Sequence, residues 1–340
     1  MSIEGGLRIE FGSPYRQKVR KLKVGKFNPA KPQTLKTPLI TLFSAPKAFN
    51  DPHIATIQRN ALRSWSLLPE VEVILLGEED GLDAAARELG IQHIPNVKCN
   101  ASGTPLISSM FQLARKNSKS ENLCIINTDM ILMPDFVQAA LHMAKLKDKF
   151  VLLSQRWDMD IVEPIDFKRG WQEHLRSSVH SSGTLHRPAG SDFFLFPPSC
   201  YTDVPDFAIG RAGWDNWMIY KAHEEKWPVI DGTASIMIIH QNHDYGHLPD
   251  AKPHYALPET NENIRLAGGE AAIRYTILDS TYCLREGKLM RPGMSYLRFM
   301  RGVELFLRAV FFFLPADMVE NVARPKRWKK KIQKILGKRE

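Results

Sequence analysis

Cysteine is scarce in this sequence. Cys99, Cys124, Cys200 and Cys283 are the only four in 340 residues, and no two stand in a Cys-x-x-Cys spacing. That argues against a paired-thiolate zinc site and a disulfide-stapled scaffold, and it favours a reducing, cytoplasmic setting. Cys124 lies within an apolar run and reads as packing. Long apolar runs are missing too. No stretch of roughly 18 uninterrupted apolar residues occurs, so no ordinary membrane-spanning helix is expected. The opening segment lacks an apolar export core, so no signal peptide is expected. There is no Gly-x-Gly-x-x-Gly after the first strand-like run and no Gly-x-x-x-x-Gly-Lys-Ser/Thr anywhere. A dinucleotide-binding domain and a P-loop are thereby disfavoured, and phosphate must be handled by other means. No repeat of ~20–50 residues suggests a solenoid or propeller.

Acidic residues are rare only at the two ends. Residues 1–36 hold nine Lys/Arg against Glu4 and Glu10, and residues 324–340 hold nine against Glu340. The net charge of +9 therefore belongs to the ends, and the stretch between them carries −6. A nucleic-acid-binding body would show the reverse, so no nucleic-acid partner is expected.

What is present is alternation. Pro38–Phe43, Val71–Leu76, Leu123–Ile126 and Phe150–Leu153 read as buried strands. Helical spacing covers His53–Trp65, with Asn50 or Asp51 as its cap, Asp80–Leu89, ended by Gly90, Ile107–Ala114 and Phe136–Leu146. Strand–helix alternation of this kind predicts an α/β layer around a mostly parallel sheet, with ligands at the carboxyl ends of its strands. Residues 156–190 read as a long irregular polar segment. Beyond it come a strand at Asp192–Phe196, a helix at Gly213–Glu225, and short strands at Trp227–Asp231 and Ser235–Ile239.

Four constellations could carry chemistry. In Leu123 to Leu132 an apolar strand empties into Asn127-Thr128-Asp129. If the segment stays extended, positions i and i+2 share a face, so Asn127 and Asp129 point together into a crevice. Asp129 would suit Mn²⁺ or Mg²⁺, and the plain alternative is an Asx turn. A second apolar strand empties into His240-Gln241-Asn242-His243-Asp244-Tyr245-Gly246-His247, three imidazoles that could bind a borderline cation or be structural. In the third, Gly210-Arg211-Ala212-Gly213 precedes Trp214-Asp215-Asn216-Trp217. Asp215 could be a general base or a carboxylate that stabilises a helix start. The two tryptophans could face a sugar or fill a core. In the fourth, Asp192 opens an apolar strand and could meet sugar hydroxyls or close a turn.

Taken in order, these segments resemble the GT-A fold nucleotide-diphospho-sugar transferases over roughly residues 37–250. The resemblance is nearest a little-characterised bacterial and plant group. It rests on Gly190-Ser191-Asp192-Phe193-Phe194-Leu195-Phe196-Pro197, on Gly210–Trp217 and on His240–Tyr245. It implies a Rossmann-like sheet over 37–285, preceded by a basic arm, 1–36, and followed by an amphipathic and basic extension, 286–340. It also implies a glycosyltransferase with a UDP- or GDP-linked donor and a glycan or lipid-linked acceptor. Asp129, with His240 or His243, would then hold Mn²⁺ or Mg²⁺, and Asp215 would be the base of an inverting reaction. Thr41, Phe43 and Ser44 would meet the nucleotide, Asn127 the ribose, and Gly103-Thr104 with Asp192 the sugars. Trp214, Trp217 and Trp157 would wall the sugar pocket. The sequence departs from the family motif at Asn127, where an aspartate is expected. An amide binds a hydroxyl but adds no negative charge. A non-catalytic nucleotide-sugar-binding protein is the alternative. A nucleotidyltransferase is disfavoured, because Ser44–Phe49 is no Gly-rich basic loop.

Residues 296–314 mix large apolar residues with Arg298, Arg301 and Arg308, and a polybasic stretch containing Trp328 follows. Such a pairing fits either an interfacial anchor on the anionic inner face of a membrane or a packed helix with a solvated tail.

Overall fold

The computed structural model describes residues 38–146, 148–243 and 257–310. The arm expected over 1–36, the Asp244–His247 part of the histidine cluster and the basic stretch 324–340 lie outside the described residues. The first half alternates as the sequence predicts: β1 (Ile40–Ser44), α1 (Pro52–Ser66), β2 (Val71–Leu76), α2 (Leu82–Leu89), β3 (Gln92–Ile94), α3 (Ile107–Asn117), β4 (Asn122–Ile126), β5 (Met130–Ile131), α4 (Pro134–Leu146) and β6 (Val151–Leu153). Asp51 caps α1 by accepting from the Ile54 amide at 2.9 Å, with Pro52 preset for the first turn. Gly90 ends α2 in the left-handed region at φ +64°.

Segment 156–190 departs from expectation. It holds β7 (Arg156–Met159), α5 (Trp171–Ser182) and β8 (Thr184–Leu185). Charges at Arg156 and Asp158 hide the strand from a hydrophobicity reading. The helix buries Trp171, Leu175 and Val179, four residues apart, against Ile131, Met133 and Ile239. Then follow β9 (Phe193–Phe196), α6 (Trp214–Glu224), β10 (Val229–Asp231), β11 (Ile238–Gln241), α7 (Pro258–Leu266), β12 (Tyr282–Arg285), β13 (Lys288–Met290) and α8 (Tyr296–Val310). The last of the early expected strands begins later than Ser235, because Ser235 closes a turn onto Gly232.

Among the described residues, nine strands form one sheet in the order β13-β12-β10-β6-β9-β4-β1-β2-β3. Of these, β9 and β13 run antiparallel to their neighbours and the other pairings are parallel. This is the mostly parallel, helix-flanked α/β sheet the alternation predicts. Alternate residues feed opposite faces: Leu42 and Phe193 join Trp65 and Phe136 on one side, while Phe43 and Phe194 join Phe111 and Trp217 on the other. Both faces are covered, which is why β9 is wholly apolar and β1 and β4 mostly so.

A second sheet, β5-β11-β7-β8, decides where the chemistry sits. Strand β11 pairs antiparallel with β5 and parallel with β7, placing His240 opposite both Met130 and Asp158. It draws the carboxyl end of β4, the charged strand β7 and the histidines of β11 together.

Candidate active site

The chain bends after β4. The Met130 amide donates to the Asn127 carbonyl at 3.2 Å, so residues 127–130 form a turn and not the extended segment expected. Asn127 and Asp129 therefore reach different partners. Asn127 donates from Nδ2 to Oδ1 of Asp192 at 3.0 Å, whereas Asp129 turns to the histidines. Nε2 of His243 lies 3.1 Å from Asp129 Oδ2, and Nε2 of His240 lies 3.7 Å from the same oxygen. One ligand atom from each of the three residues falls within 4.8 Å of the other two. The second oxygen, Oδ1 of Asp129, is buried with no hydrogen-bond partner.

Lys47, just past β1, brings its ammonium to 3.3 Å from His243 Nε2. Burial pulls its pKa down, and the Asp129 charge only partly offsets this. Burial alone would raise Asp129, but the His243 hydrogen bond and the charges of His240 and Lys47 outweigh it, so Asp129 stays ionised well below the usual carboxylate range. His240 is pushed the other way. Burial lowers it, but the bond to Asp158 and the charge of Asp129 leave its pKa above the usual imidazole value.

The backbone beneath is pinned by Gln241, which is fully buried. Its side chain accepts from Asn60 at 3.0 Å and donates to the carbonyls of Ile57 and Asp129 at 2.7 and 3.3 Å. Its amide donates to the Asp129 carbonyl at 3.1 Å. One side chain thus locks α1, the metal-type turn and β11 together.

A second layer of charge runs from this cluster to Asp215. Asp158 accepts from Arg156 Nε at 2.9 Å, and its oxygens lie 3.3 Å from His240 Nδ1 and 2.6 Å from His186 Nδ1. The His240, His186 and Arg156 contacts overcome burial and hold Asp158 below its ordinary range. Arg156 also donates from Nη1 to Asp192 Oδ1 at 2.6 Å, the oxygen that Asn127 holds. Asp215, in the first turn of α6, accepts from the Ser191 backbone and lies near enough to Asp192 to be repelled by it. Burial, reinforced by that repulsion, raises its pKa. Gly213 starts α6 at φ +109°, where a Cβ would come 3.2 Å from Ile273. Asn263 fixes the preceding loop through the Ala208 amide and carbonyl at 2.9 and 3.0 Å.

Several expected site residues lie elsewhere. Thr41 is near the start of β1, where it bonds Glu72, Ser118 and Ser120 at the opposite end of the sheet from the histidines. Phe43 is fully buried edge-on against Phe111, ring centres 5.2 Å apart, so it cannot stack on a base. Ser44 does reach the site region, donating to the Ile126 carbonyl at 2.6 Å and lying 2.7 Å from the Thr128 hydroxyl. Trp214 and Trp217 are 5% and 6% exposed and pack on Phe194 and Phe207. They are core residues, because their positions on α6 face the sheet. Trp157 turns to His180 of α5, 5.9 Å between rings. Gly103 and Thr104 sit in a loop tied by Arg211, which reaches Thr104 at 3.5 Å and Glu259 at 2.6 Å. That places them beside the loop leading into α6 and out of contact with Asp129.

The residues that sequence reading missed are Lys47, Arg156, Asp158 and Gln241. Arg156 and Asp158 alternate with Trp157 and Met159, the one signal in the sequence that could have found them. A cavity of ≈ 270 Å³ lined by Glu78, Glu79, Asp80 and His93 lies past the end of β2, next to β1.

No family model matches the sequence. No curated protein matches it either. Solved structures are similar to it at low identity. Glucosyl-3-phosphoglycerate synthase from Mycobacterium tuberculosis is 13% identical, with a TM-score of 0.43 over 76% of this chain and 89% of that one. A mannosyltransferase from Pyrobaculum calidifontis, in complex with GDP-Man and Mn²⁺, is 13% identical, with a TM-score of 0.38 over 64% and 60%. TarS from S. aureus, in complex with UDP-GlcNAc, is 13% identical, with a TM-score of 0.43 over 67% and 65%.

Proposed function

We propose that the protein is a glycosyltransferase that moves a sugar from a UDP- or GDP-linked donor to a hydroxyl of a glycan or lipid-linked acceptor. The observation that carries the reading is Asp129. One of its oxygens is held by two imidazoles and the other is buried without a partner, at the carboxyl ends of a parallel sheet. An unpartnered buried oxygen costs about 1–3 kcal/mol, a deficit that a cation would relieve. One carboxylate with two imidazoles suits a borderline cation such as Mn²⁺ better than Mg²⁺, which takes oxygen ligands, so the residues fit Mn²⁺. A divalent ion held by Asp129, His240 and His243 would neutralise charge growing on the departing diphosphate.

The chain's own groups do the rest. Lys47 supports the same diphosphate as a fixed cation. With Thr41, Phe43 and Ser44 buried, the nucleoside is assigned to the β2 end, where Glu78, Asp80 and His93 offer hydrogen-bonding groups. Asp192, steadied by Asn127 and Arg156, meets sugar hydroxyls. Asp215 takes the acceptor's proton as the acceptor oxygen bonds the anomeric carbon and the bond to the diphosphate breaks. A single displacement of this kind inverts the anomeric centre. A raised pKa suits a base at neutral pH.

The test is a panel of UDP- and GDP-sugars with Mn²⁺, scored for released nucleoside diphosphate. Wild type should turn over at least one donor, and Asp129→Ala and Asp215→Asn should not. Full activity in both variants would overturn the assignment. The neutral Asn127 favours one other reading, a non-catalytic nucleotide-sugar-binding protein. Calorimetry showing tight UDP or GDP binding without turnover would select it.

A further inference from the structure

Helix α8 is built inside out. Tyr296–Val310 contains four charged residues, Arg298, Arg301, Glu304 and Arg308, at spacings of three and four. Arg301 is 4% exposed, held 2.8 Å from Asp279 and 3.2 Å from Glu304, with its guanidinium over the Tyr275 ring. Arg298 donates to the Leu278 carbonyl at 2.6 Å and to Ser280 at 2.9 Å, and pairs with Asp231 at 3.3 Å. Arg308 pairs with Glu304 at 3.2 Å. Arg298 and Arg301 are spent on the body, and Glu304 pairs with Arg301 and Arg308 along the same side of the helix. The opposite stripe, Tyr296, Phe299, Val303, Phe306 and Val310, follows the i, i+3, i+7, i+10, i+14 spacing and carries no charge. Phe299 and Phe306 are 55% and 65% exposed, and Met294 just before the helix is 81% exposed. A helix in contact with water on its outer side is normally arranged the other way round, and a contiguous exposed apolar stripe marks an interaction surface.

We propose that the outer face of α8 is a docking surface for an anionic lipid bilayer, lying in the interface plane with Phe299 and Phe306 among the acyl chains. Charge complementarity selects this occupant. The sequence after the helix carries nine Lys/Arg against one acid over residues 324–340, with Trp328 among them. Two copies meeting face to face would bring two such stretches together and repel, whereas an anionic surface attracts each. Aromatic residues and basic residues beside an apolar stripe match the headgroup boundary. The length fits lying on a bilayer, since no described helix is long and apolar enough to cross one. The proposal stands apart from the sugar-transfer reading: none of these residues touches the Asp129 or Asp215 groups.

The experiment is co-sedimentation of the full chain with vesicles of phosphatidylcholine alone or with about 30 mol% phosphatidylserine. Binding is expected only to the anionic vesicles and should weaken with salt. Phe299→Asp/Phe306→Asp should lower the partition coefficient by about tenfold or more, with the melting temperature unchanged. The milder pair Phe299→Ser/Phe306→Ser should lower it in the same direction, and it keeps the test decisive if the aspartates disturb folding. Lys329→Ala/Lys330→Ala/Lys331→Ala should remove much of the salt sensitivity. Wild-type partitioning by both face variants overturns the proposal. So does a lipid-independent dimer that the face variants convert to monomer, which would make the face a contact between copies.

Discussion

Asp129→Asn tests the metal assignment most sharply, because it changes charge at nearly constant shape. In the unliganded protein the variant loses a charge-assisted contact with His243, worth about 1.5–3 kcal/mol, and the attraction of His240 and Lys47 that outweighs burial at this carboxylate. The amide still leaves one polar atom in the unpartnered Oδ1 position. The melting temperature without metal should therefore fall at neutral pH. The response to metal should differ greatly. At a Mn²⁺ concentration of about 100 times its dissociation constant, binding to the folded state alone adds about 2.7 kcal/mol. For a domain of about 300 residues, at ~2.1 cal/mol/K of unfolding entropy per residue, that is a rise of about 4 °C. The wild-type melting curve should shift by that amount with Mn²⁺ and return with a chelator, and the Asp129→Asn curve should not shift. Equal Mn²⁺-dependent shifts in both proteins would refute the reasoning, whatever the enzyme assays show.

Asp215→Asn should lower kcat by about 10²–10⁴ and leave donor affinity unchanged, as loss of a general base requires. Because burial and Asp192 raise the Asp215 pKa, the wild-type rate should fall on acidification above the ordinary aspartate value of about 3.9; a kcat unaffected by the substitution would remove the role. Trp217→Ala should cost about 3–5 kcal/mol in urea unfolding, as a core truncation does; a cost under about 1 kcal/mol with lost sugar binding would restore its reading as a pocket wall. Gln241→Leu should cost about 2–3 kcal/mol, since Asn60 and two carbonyls lose a buried partner; an unchanged urea midpoint would contradict the locking role. Asn127→Asp should destabilise by about 1–2 kcal/mol at neutral pH, because it sets a carboxylate against Asp192, and the loss should shrink as acid protonates one of the pair; equal stability at pH about 7 would mean that Arg156 neutralises both.

The sheet was legible because β1, β2, β4 and β9 are covered on both faces and so are mostly apolar. The helices between them carry caps and stops in the sequence, such as Asp51 and Gly90. Strand β7 was not legible, since Arg156 and Asp158 serve the site and leave only Trp157 and Met159 as its apolar signal. The direction of a side chain was harder still. Apolar periodicity says that Trp214 and Trp217 belong to a helix, but only the packing of that helix on β9 says which way they face. Phe43 and Thr41 failed similarly. Being on the right strand does not place a residue at its carboxyl end, and Thr41 sits three residues too early. Asn127–Met130 closes as a backbone turn, not as the extended segment that the sequence suggests. Even so, the two side chains it separates are linked again, Asn127 through Asp192 and Arg156, and Asp129 through His240 and Asp158.

The contrast between the two key carboxylates follows from their neighbours. Asp129 and Asp215 are both drawn into the protein, and burial pushes the pKa of each upward. Asp129 meets Lys47 and two histidines, so attraction overrides burial and the group stays charged, as a cation ligand must. At Asp215 burial and the negative Asp192 outweigh the backbone donors, so its proton affinity rises, as the proposed base requires. Opposite pKa shifts of this kind suit the two acids to the different tasks proposed for them. Arg156 keeps the two environments distinct. By binding both Asp158 and Asp192 it absorbs the negative charge lying between the poles. Without it, Asp192 would press harder on Asp215, and His240 would lose the fixed Asp158 that orients its ring toward Asp129.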